Sequence, residues 1–153
     1  MKNLLLTFLA IAVIFAACEK EEEPTTTPII TPTTTYDFSC NVGGDNFTDN
    51  SPDVVIDQNN LLTIHAENGG DEITIRIYNF SDRNIGEEIS LNNLTDKAYV
   101  TKYGVEYTNT QSGKLTFTKI DTELSGTFSF TSTSPSVGAN KSVTEGVFED
   151  LTF

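Results

Sequence analysis

Ile73-Thr74-Ile75-Arg76-Ile77-Tyr78 decides the fold class. Apolar residues occupy every second position and polar or aromatic ones fill the gaps, the period of a strand with one face buried and one wet. Isoleucine and threonine branch at Cβ, which suits a pleated surface and restricts them in a helix. The same alternation returns on either side. Leu115 and Phe117 alternate with Lys114, Thr116 and Thr118, and Phe128 and Phe130 alternate with Thr127, Ser129 and Thr131. Nowhere do apolar residues recur at helical spacing over three turns. The pattern predicts that Ile75, Phe117, Phe128 and Phe130 meet in one core.

Turn residues join these runs in series. Gly43-Gly44-Asp45-Asn46 follows residues 36–42, and Asp57-Gln58-Asn59-Asn60 separates 54–56 from 61–66. Asn68-Gly69-Gly70-Asp71 leads into 73–80, and Asp121-Thr122-Glu123 joins 114–120 to 125–131. A looser Ser/Pro/Gly stretch at 132–140 precedes a last strand at 143–153. The expectation is an all-β domain of about eight to ten short strands, an antiparallel β-sandwich or a partly closed barrel.

Residues 97–108 suggest a specific hairpin. Ala98-Tyr99-Val100-Thr101 and Val105-Glu106-Tyr107-Thr108 favour strand, with Lys102-Tyr103-Gly104 between them. Three-residue hairpin loops end on a left-handed residue, and glycine enters that region without steric cost. Gly104 fits the third place. This register pairs Thr101 with Val105, sets Tyr99 opposite Tyr107 on one face, and leaves Tyr103 at the exposed tip. Tyr99, Tyr103 and Tyr107 are therefore the candidate ligand contacts, a platform for an external glycan. The competing reading is that they are ordinary strand formers.

Ahead of the strands, Lys2 precedes an apolar stretch, residues 4–17, interrupted only by Thr7. Spanning a bilayer takes ~20 helical residues, so residues 1–17 read as an export signal that is removed. Phe15-Ala16-Ala17-Cys18 resembles the lipobox of bacterial lipoproteins, with Phe15 where leucine or valine is usual. The resemblance implies diacylglycerol on Cys18, and two or more acyl chains anchor a protein firmly. Glu19, Lys20, Glu21, Glu22 and Glu23 form a solvated charge cluster. They also resemble the acidic export signal of Bacteroidetes surface lipoproteins, which implies an outer-membrane protein facing the cell exterior. Pro24, Pro28 and Pro32 stand among threonines, a composition that stays extended. Residues 18–35 thus read as a lipidated cysteine and a disordered tether, and 36–153 as a single β domain.

Residues 36–153 carry seven Lys or Arg against 18 Asp or Glu, a balance of −11. Such a field repels nucleic acid and anionic membrane surfaces, so the membrane is a partner only through the lipid on Cys18. Cys40 is the cysteine left once Cys18 is lipidated, which leaves no intrachain disulfide. It alternates with Phe38 and Val42, and no Lys, Arg or His lies within ten residues to activate it. Core packing is the reading. His65, the single histidine, has no accompanying nucleophile motif and too few Cys or His companions for zinc.

Asp45, Asp49, Asp53 and Asp57 are the best calcium candidates, since Ca²⁺ takes carboxylate and carbonyl oxygens. Pro52 and the strand at 54–56 spread them apart, and an acidic rim is the favoured reading. Glu87-Glu88 and Asp71-Glu72 are adjacent strand residues that point to opposite faces, so neither makes a glycosidase pair. No cofactor, metal or catalytic residue is expected. The leading function is a non-enzymatic surface module binding an external glycan or protein. The alternatives are a secreted hydrolase acting on an external polymer and a carrier of a small apolar ligand.

Gly113-Lys114-Leu115-Thr116-Phe117-Thr118-Lys119-Ile120-Asp121, Leu124-Ser125-Gly126-Thr127-Phe128-Ser129-Phe130 and Val143-Thr144-Glu145-Gly146-Val147-Phe148-Glu149-Asp150 resemble small Bacteroidetes lipoproteins grouped under a domain of unknown function. Phe38-Ser39-Cys40-Asn41-Val42-Gly43-Gly44 fits their usual opening. The resemblance implies a secreted β domain after a lipobox and transfers no catalytic or binding residue.

Overall fold

The computed structural model describes residues 36–153. The export signal, Cys18, the acidic cluster at 19–23 and the tether lie outside the described residues. The sequence folds into strands β1 (Phe38–Val42), β2 (Asp45–Asp49), β3 (Asp53–Ile56), β4 (Leu62–Asn68), β5 (Asp71–Ile77) and β6 (Glu88–Ser90). These are followed by β7 (Lys97–Lys102), β8 (Val105–Tyr107), β9 (Asn109–Ile120), β10 (Glu123–Thr133) and β11 (Asn140–Thr152). One sheet has the order β2-β1-β11-β10-β9-β6 and the other β3-β4-β5-β7-β8. All neighbours run antiparallel. The architecture is a sandwich and the barrel alternative falls away. The eleven strands exceed the expected eight to ten by one, and two of them were not expected. β2 was expected as turn, and β6 is three residues long with Ile89 as its single apolar residue, too short to show alternation.

Glycine pairs set two of the hairpins. Gly43 and Gly44 have φ of 62° and 98°, and Gly69 and Gly70 have 62° and 86°. Both central residues at positive φ make a type I′ turn, whose twist matches that of the flanking strands.

The core lies between the sheets and contains the predicted set, with Ile75, Phe117, Phe128 and Phe130 all buried. Phenylalanine rings run through it in contact, Phe38 on Phe128 at 5.0 Å between centroids, Phe128 on Phe148 at 6.3 Å and Phe148 on Phe117 at 6.0 Å. Three strand glycines make room for such rings. Gly113 is opposite Phe130, Gly126 opposite Phe148, and Gly146 opposite Phe128. A Cβ on Gly126 would stand 2.5 Å from Phe148 Cζ and 2.6 Å from the Thr116 carbonyl oxygen. A Cβ on Gly146 would meet the Phe128 ring at 2.5 Å. The Phe148 and Phe128 rings therefore lie over bare backbone, which restores the apolar cover that glycine lacks, while at Gly113 the close neighbour is the Phe130 Cβ at 2.5 Å.

Two bulges let β11 keep its large residues inward. Val143, Phe148 and Leu151 are all buried although their spacing breaks period two. The extra residues are Glu145 and Asp150, at φ 54° and 51°, and such a bulge resets which face follows. Glu145 accepts a hydrogen bond from Asn41 Nδ2. The Asp150 N–H donates to Ser125 Oγ at 2.9 Å.

Where the chain crosses between sheets, hydroxyls replace a strand. β8 ends at Tyr107, short of Ala98 on β7. The Ala98 N–H donates to Thr110 Oγ1 at 3.1 Å, and its carbonyl accepts from Thr110 Oγ1 and Ser132 Oγ, each at 2.8 Å. Both hydroxyls belong to the other sheet and are buried. They satisfy backbone groups that would otherwise be orphaned in the core.

Candidate functional site

The tyrosine hairpin departs from its expected register. Lys102 pairs with Val105, Thr101 with Glu106 and Val100 with Tyr107. The loop has two residues, Tyr103 and Gly104, at φ 53° and 75°. Gly104 is left-handed as expected, but Tyr103 is too, and the loop is a type I′ turn. A one-residue slip moves every side chain to the other face. Tyr107 is consequently buried, Tyr99 lies on the outer face, and the Tyr99–Tyr103–Tyr107 platform does not exist.

An acid–base cluster sets this register. Tyr103 donates its N–H to Asp71 Oδ1 at 2.9 Å and its hydroxyl to Asp45 Oδ2 at 3.0 Å. Lys102 Nζ lies 2.7 Å from Asp71, 3.6 Å from Asp45 and 4.5 Å from the Tyr103 ring centroid. Lys102 follows Ala98 and Val100 onto the inward face, and its side chain is 6% exposed. The bond to Asp71 holds its ammonium above the usual lysine range against the opposing effect of burial. Burial pushes the Asp71 carboxyl up, but the Lys102 ammonium and the Tyr103 N–H outweigh it and hold the carboxyl below the usual range. Asp45 belongs to the opposite sheet, so the cluster ties the two sheets together.

The remaining acidic candidates serve separate purposes. Asp49 accepts from the Ser51 and Glu67 N–H groups, and Asp57 from those of Asn59 and Leu61. Asp53 stands opposite His65, whose Nδ1 is 3.0 Å from Thr74 Oγ1. Asp49, Asp53, His65 and Glu67 share a shallow depression of about 290 Å³. Among the described residues, no three His, Cys, Asp or Glu side chains are arranged to hold a metal ion. Cys40 is buried, and desolvation pushes its thiol up to about 12 despite the opposing Lys102 charge. That lysine is 62 positions away in sequence, invisible to a search of near neighbours.

The outer face of the five-stranded sheet carries a constellation that sequence reading missed. Register aligns Val55, Thr63, Arg76 and Lys97 in one row and Asp53, His65, Thr74 and Tyr99 in the next. Arg76 and Lys97 are thus direct cross-strand neighbours with Cβ atoms roughly 5 Å apart, an arrangement in which like charges are mildly destabilising. Arg83, Lys102, Lys114 and Lys119 each pair with an acid. Among the described residues, Arg76, Lys97 and Lys141 make no salt bridge, although Arg76 is near enough to Asp57 to help the Leu61 N–H hold that carboxyl below its usual range. The Arg76 guanidinium carbon lies 5.8 Å from the centroid of the Tyr78 ring, on the same face. The pair was legible only as two residues 21 positions apart on separate strands, and pairing them required the β5–β7 register.

A fixed rim bounds this patch. Asp96 is buried and accepts from the Tyr78 N–H at 2.7 Å and from Arg83 Nη2 at 2.8 Å. Arg83 also donates to the Tyr78 carbonyl at 2.9 Å. These bonds position Tyr78 at the end of β5 beside a groove of about 400 Å³ lined by Tyr78, Asn79, Arg83, Leu94, Thr95 and Lys97. Leu94 is 91% exposed at its edge.

Fold and surface together define a small antiparallel β-sandwich module with one interlocked sheet and one sheet presenting polar and aromatic side chains outward. Residues 34–152 match the family described as Domain of unknown function (DUF6252), and the chain belongs to that family. No curated protein and no solved structure matches it. The stretches that suggested a domain of unknown function fall on β9, β10 and β11 and contain Gly113, Gly126, Gly146 and their phenylalanine partners. Those residues pack the core of the sandwich.

Proposed function

We propose that the chain is a lipid-anchored cell-surface protein whose β module binds an external glycan or protein and has no catalytic role. The observation that carries the binding reading is the Arg76–Lys97 pair. Two cations stand side by side in a domain with 18 acids, and neither is tied up in a salt bridge. A surface that retains such an arrangement fits contact with something outside the chain. The address rests on the sequence, on Ala16-Ala17-Cys18 for lipidation and on Glu19, Lys20, Glu21, Glu22 and Glu23 for outward display from the outer membrane.

The two halves of the reading are tested separately. For the anchor, mass spectrometry of the mature protein should find acyl chains on Cys18, and Cys18→Ala should leave an unprocessed precursor. An unmodified Cys18 with a free α-amino group would sink the anchor. For the binding role, the full chain in detergent is applied to arrays of extracellular glycans and surface proteins. Saturable binding to a defined set supports it, and turnover of an arrayed polymer would replace it with the hydrolase alternative.

A further inference from the structure

We infer that the outer face of β5 and β7, centred on Arg76 and Lys97 with Tyr78 and Tyr99 beside them, recognises an acidic polysaccharide, one bearing uronate carboxylates or sulfate esters. The inference rests on the binding-module reading and adds to it a site and a ligand class.

Charge comes first. The domain balance of −11 repels polyanions at long range, so a site for one must concentrate cations locally. Arg76 and Lys97 do so, neither held in a salt bridge among the described residues, and Arg83 lies across the adjoining groove with Asp96 already satisfying one edge of its guanidinium. An anion between Arg76 and Lys97 turns their mutual repulsion into two charge-assisted hydrogen bonds. Resting against the Tyr78 ring, the Arg76 guanidinium keeps its edge N–H groups available for a carboxylate or sulfate oxygen.

Geometry then favours a sugar chain over a lone ion. Tyr99 is two residues from Lys97 on β7, and Tyr78 is two from Arg76 on β5, on opposite sides of the cationic row. Two residues along a strand span ~6.8 Å, which sets the Tyr99 backbone about that far from Lys97, while the ring of Tyr78, just past the end of β5, has its centroid 5.8 Å from the Arg76 guanidinium carbon. A pyranose buries its apolar face on an aromatic ring, and successive residues of an acidic glycan would meet ring, cations, ring. The polar rim and the groove beside Leu94 continue the track past the sheet edge. An acidic peptide satisfies the cations but offers no sugar faces to the tyrosines.

The test is affinity electrophoresis of the full chain in detergent through gels containing polygalacturonate, dextran sulfate, neutral dextran or polyglutamate. Retardation by polygalacturonate or dextran sulfate, but not by dextran, is expected. Arg76→Gln combined with Lys97→Gln should weaken it at least about tenfold, the scale of one lost charge-assisted hydrogen bond. Tyr99→Ala should weaken it severalfold, while Lys114→Gln, on the other sheet, should leave it unchanged. The double variant should melt close to the parent's temperature, because loss of the Arg76–Tyr78 contact and relief of the like-charge pair offset each other. A lower melting temperature would show the cations to be structural and overturn the assignment. Retardation by polyglutamate equal to that by the polysaccharides would overturn the ligand class. Array binding that survives in the double variant would leave the binding module standing and remove this site from it.

Discussion

In the six-stranded sheet the inward positions of β9, β10 and β11 interlock by volume, with Gly113, Gly126 and Gly146 each beneath the phenylalanine opposite. In the five-stranded sheet the inward rungs of β5 and β7 run Ile75 with Ala98, then Ile73 with Val100, and the row ends in Asp71 with Lys102. One sheet is closed by shape and the other is sealed at its end by charge. The consequence reaches the outer faces. A sheet fixed by interlocking rings has its glycines and phenylalanines committed to packing. The plainer aliphatic sheet leaves Arg76, Tyr78, Lys97 and Tyr99 on its wet side without an evident packing duty.

The sharpest way to break the interlocked sheet is Phe148→Ala. Phe148 is fully buried, touches the rings of Phe117 and Phe128, and covers Gly126. Its truncation leaves a cavity lined by rings that cannot collapse, at an expected loss of ~3–5 kcal/mol in chemical denaturation. A loss below ~1 kcal/mol would mean that the rings do not form one packed unit.

The charged end of the other sheet answers to pH. Asp71 has a folded carboxyl below its usual range, so its contribution is full above the unfolded value near ~4 and fades as pH falls through that value toward the folded one. Asp71→Asn should lose roughly 1.5–3 kcal/mol at neutral pH, the worth of a hydrogen bond to a charged group, and should flatten the decline of stability below about pH 4. Denaturation midpoints across pH 2–7 check both; an acid limb identical to that of the parent would remove Asp71 from the account.

These two regions also differ in what sequence discloses. The alternation at Ile73-Thr74-Ile75-Arg76-Ile77-Tyr78 disclosed strand and inward face at once, because period two is a local property. Phe117, Phe128 and Phe130 were assigned inward for the same reason. The bulges at Glu145 and Asp150 were invisible, since each depends on which strand lies alongside. Lys102 read as a loop residue because a lysine in a turn is ordinary, and its burial depends on Asp71, 31 positions earlier, and on Asp45 from the other sheet. The Arg76–Lys97 pair is a fact of register. Composition gave the acid surplus that makes it unusual and gave no hint of where it lies.

Gly126→Ala tests shape from the other direction. The added methyl would meet the Phe148 ring at 2.5 Å and the Thr116 carbonyl at 2.6 Å. The ring can turn aside, but the carbonyl belongs to a paired neighbouring strand. Overpacking of this kind costs about 1–3 kcal/mol, seen as a lowered melting temperature. Combining it with Phe148→Ala should cost less than the sum, because the missing ring vacates half of the clash. Full additivity would show the two residues to be independent.

The smallest expected effect lies at the Tyr103–Gly104 turn, where two substitutions separate backbone geometry from side-chain contact. Gly104 at φ 75° accepts a Cβ with nothing within 4 Å to obstruct it, so Gly104→Ala carries only the left-handed penalty of roughly 1–2 kcal/mol. Tyr103 already bears such a penalty at φ 53°. Tyr103→Asn relieves part of it, because asparagine visits this region readily, and loses the exposed hydroxyl bond to Asp45 and the ring contact with the buried Lys102 ammonium, together about 1–2 kcal/mol. Gain and loss oppose each other, so Tyr103→Asn should shift stability by less than ~1 kcal/mol and by less than Gly104→Ala. The N–H bond to Asp71 is backbone and survives both changes. If Tyr103→Asn proves the more damaging of the two, the bonds to Asp45 and Lys102 hold the hairpin in register, and the turn merely accommodates them. Cross-strand proximity of Val100 to Tyr107 in the NMR spectrum of each variant would show whether that register had slipped.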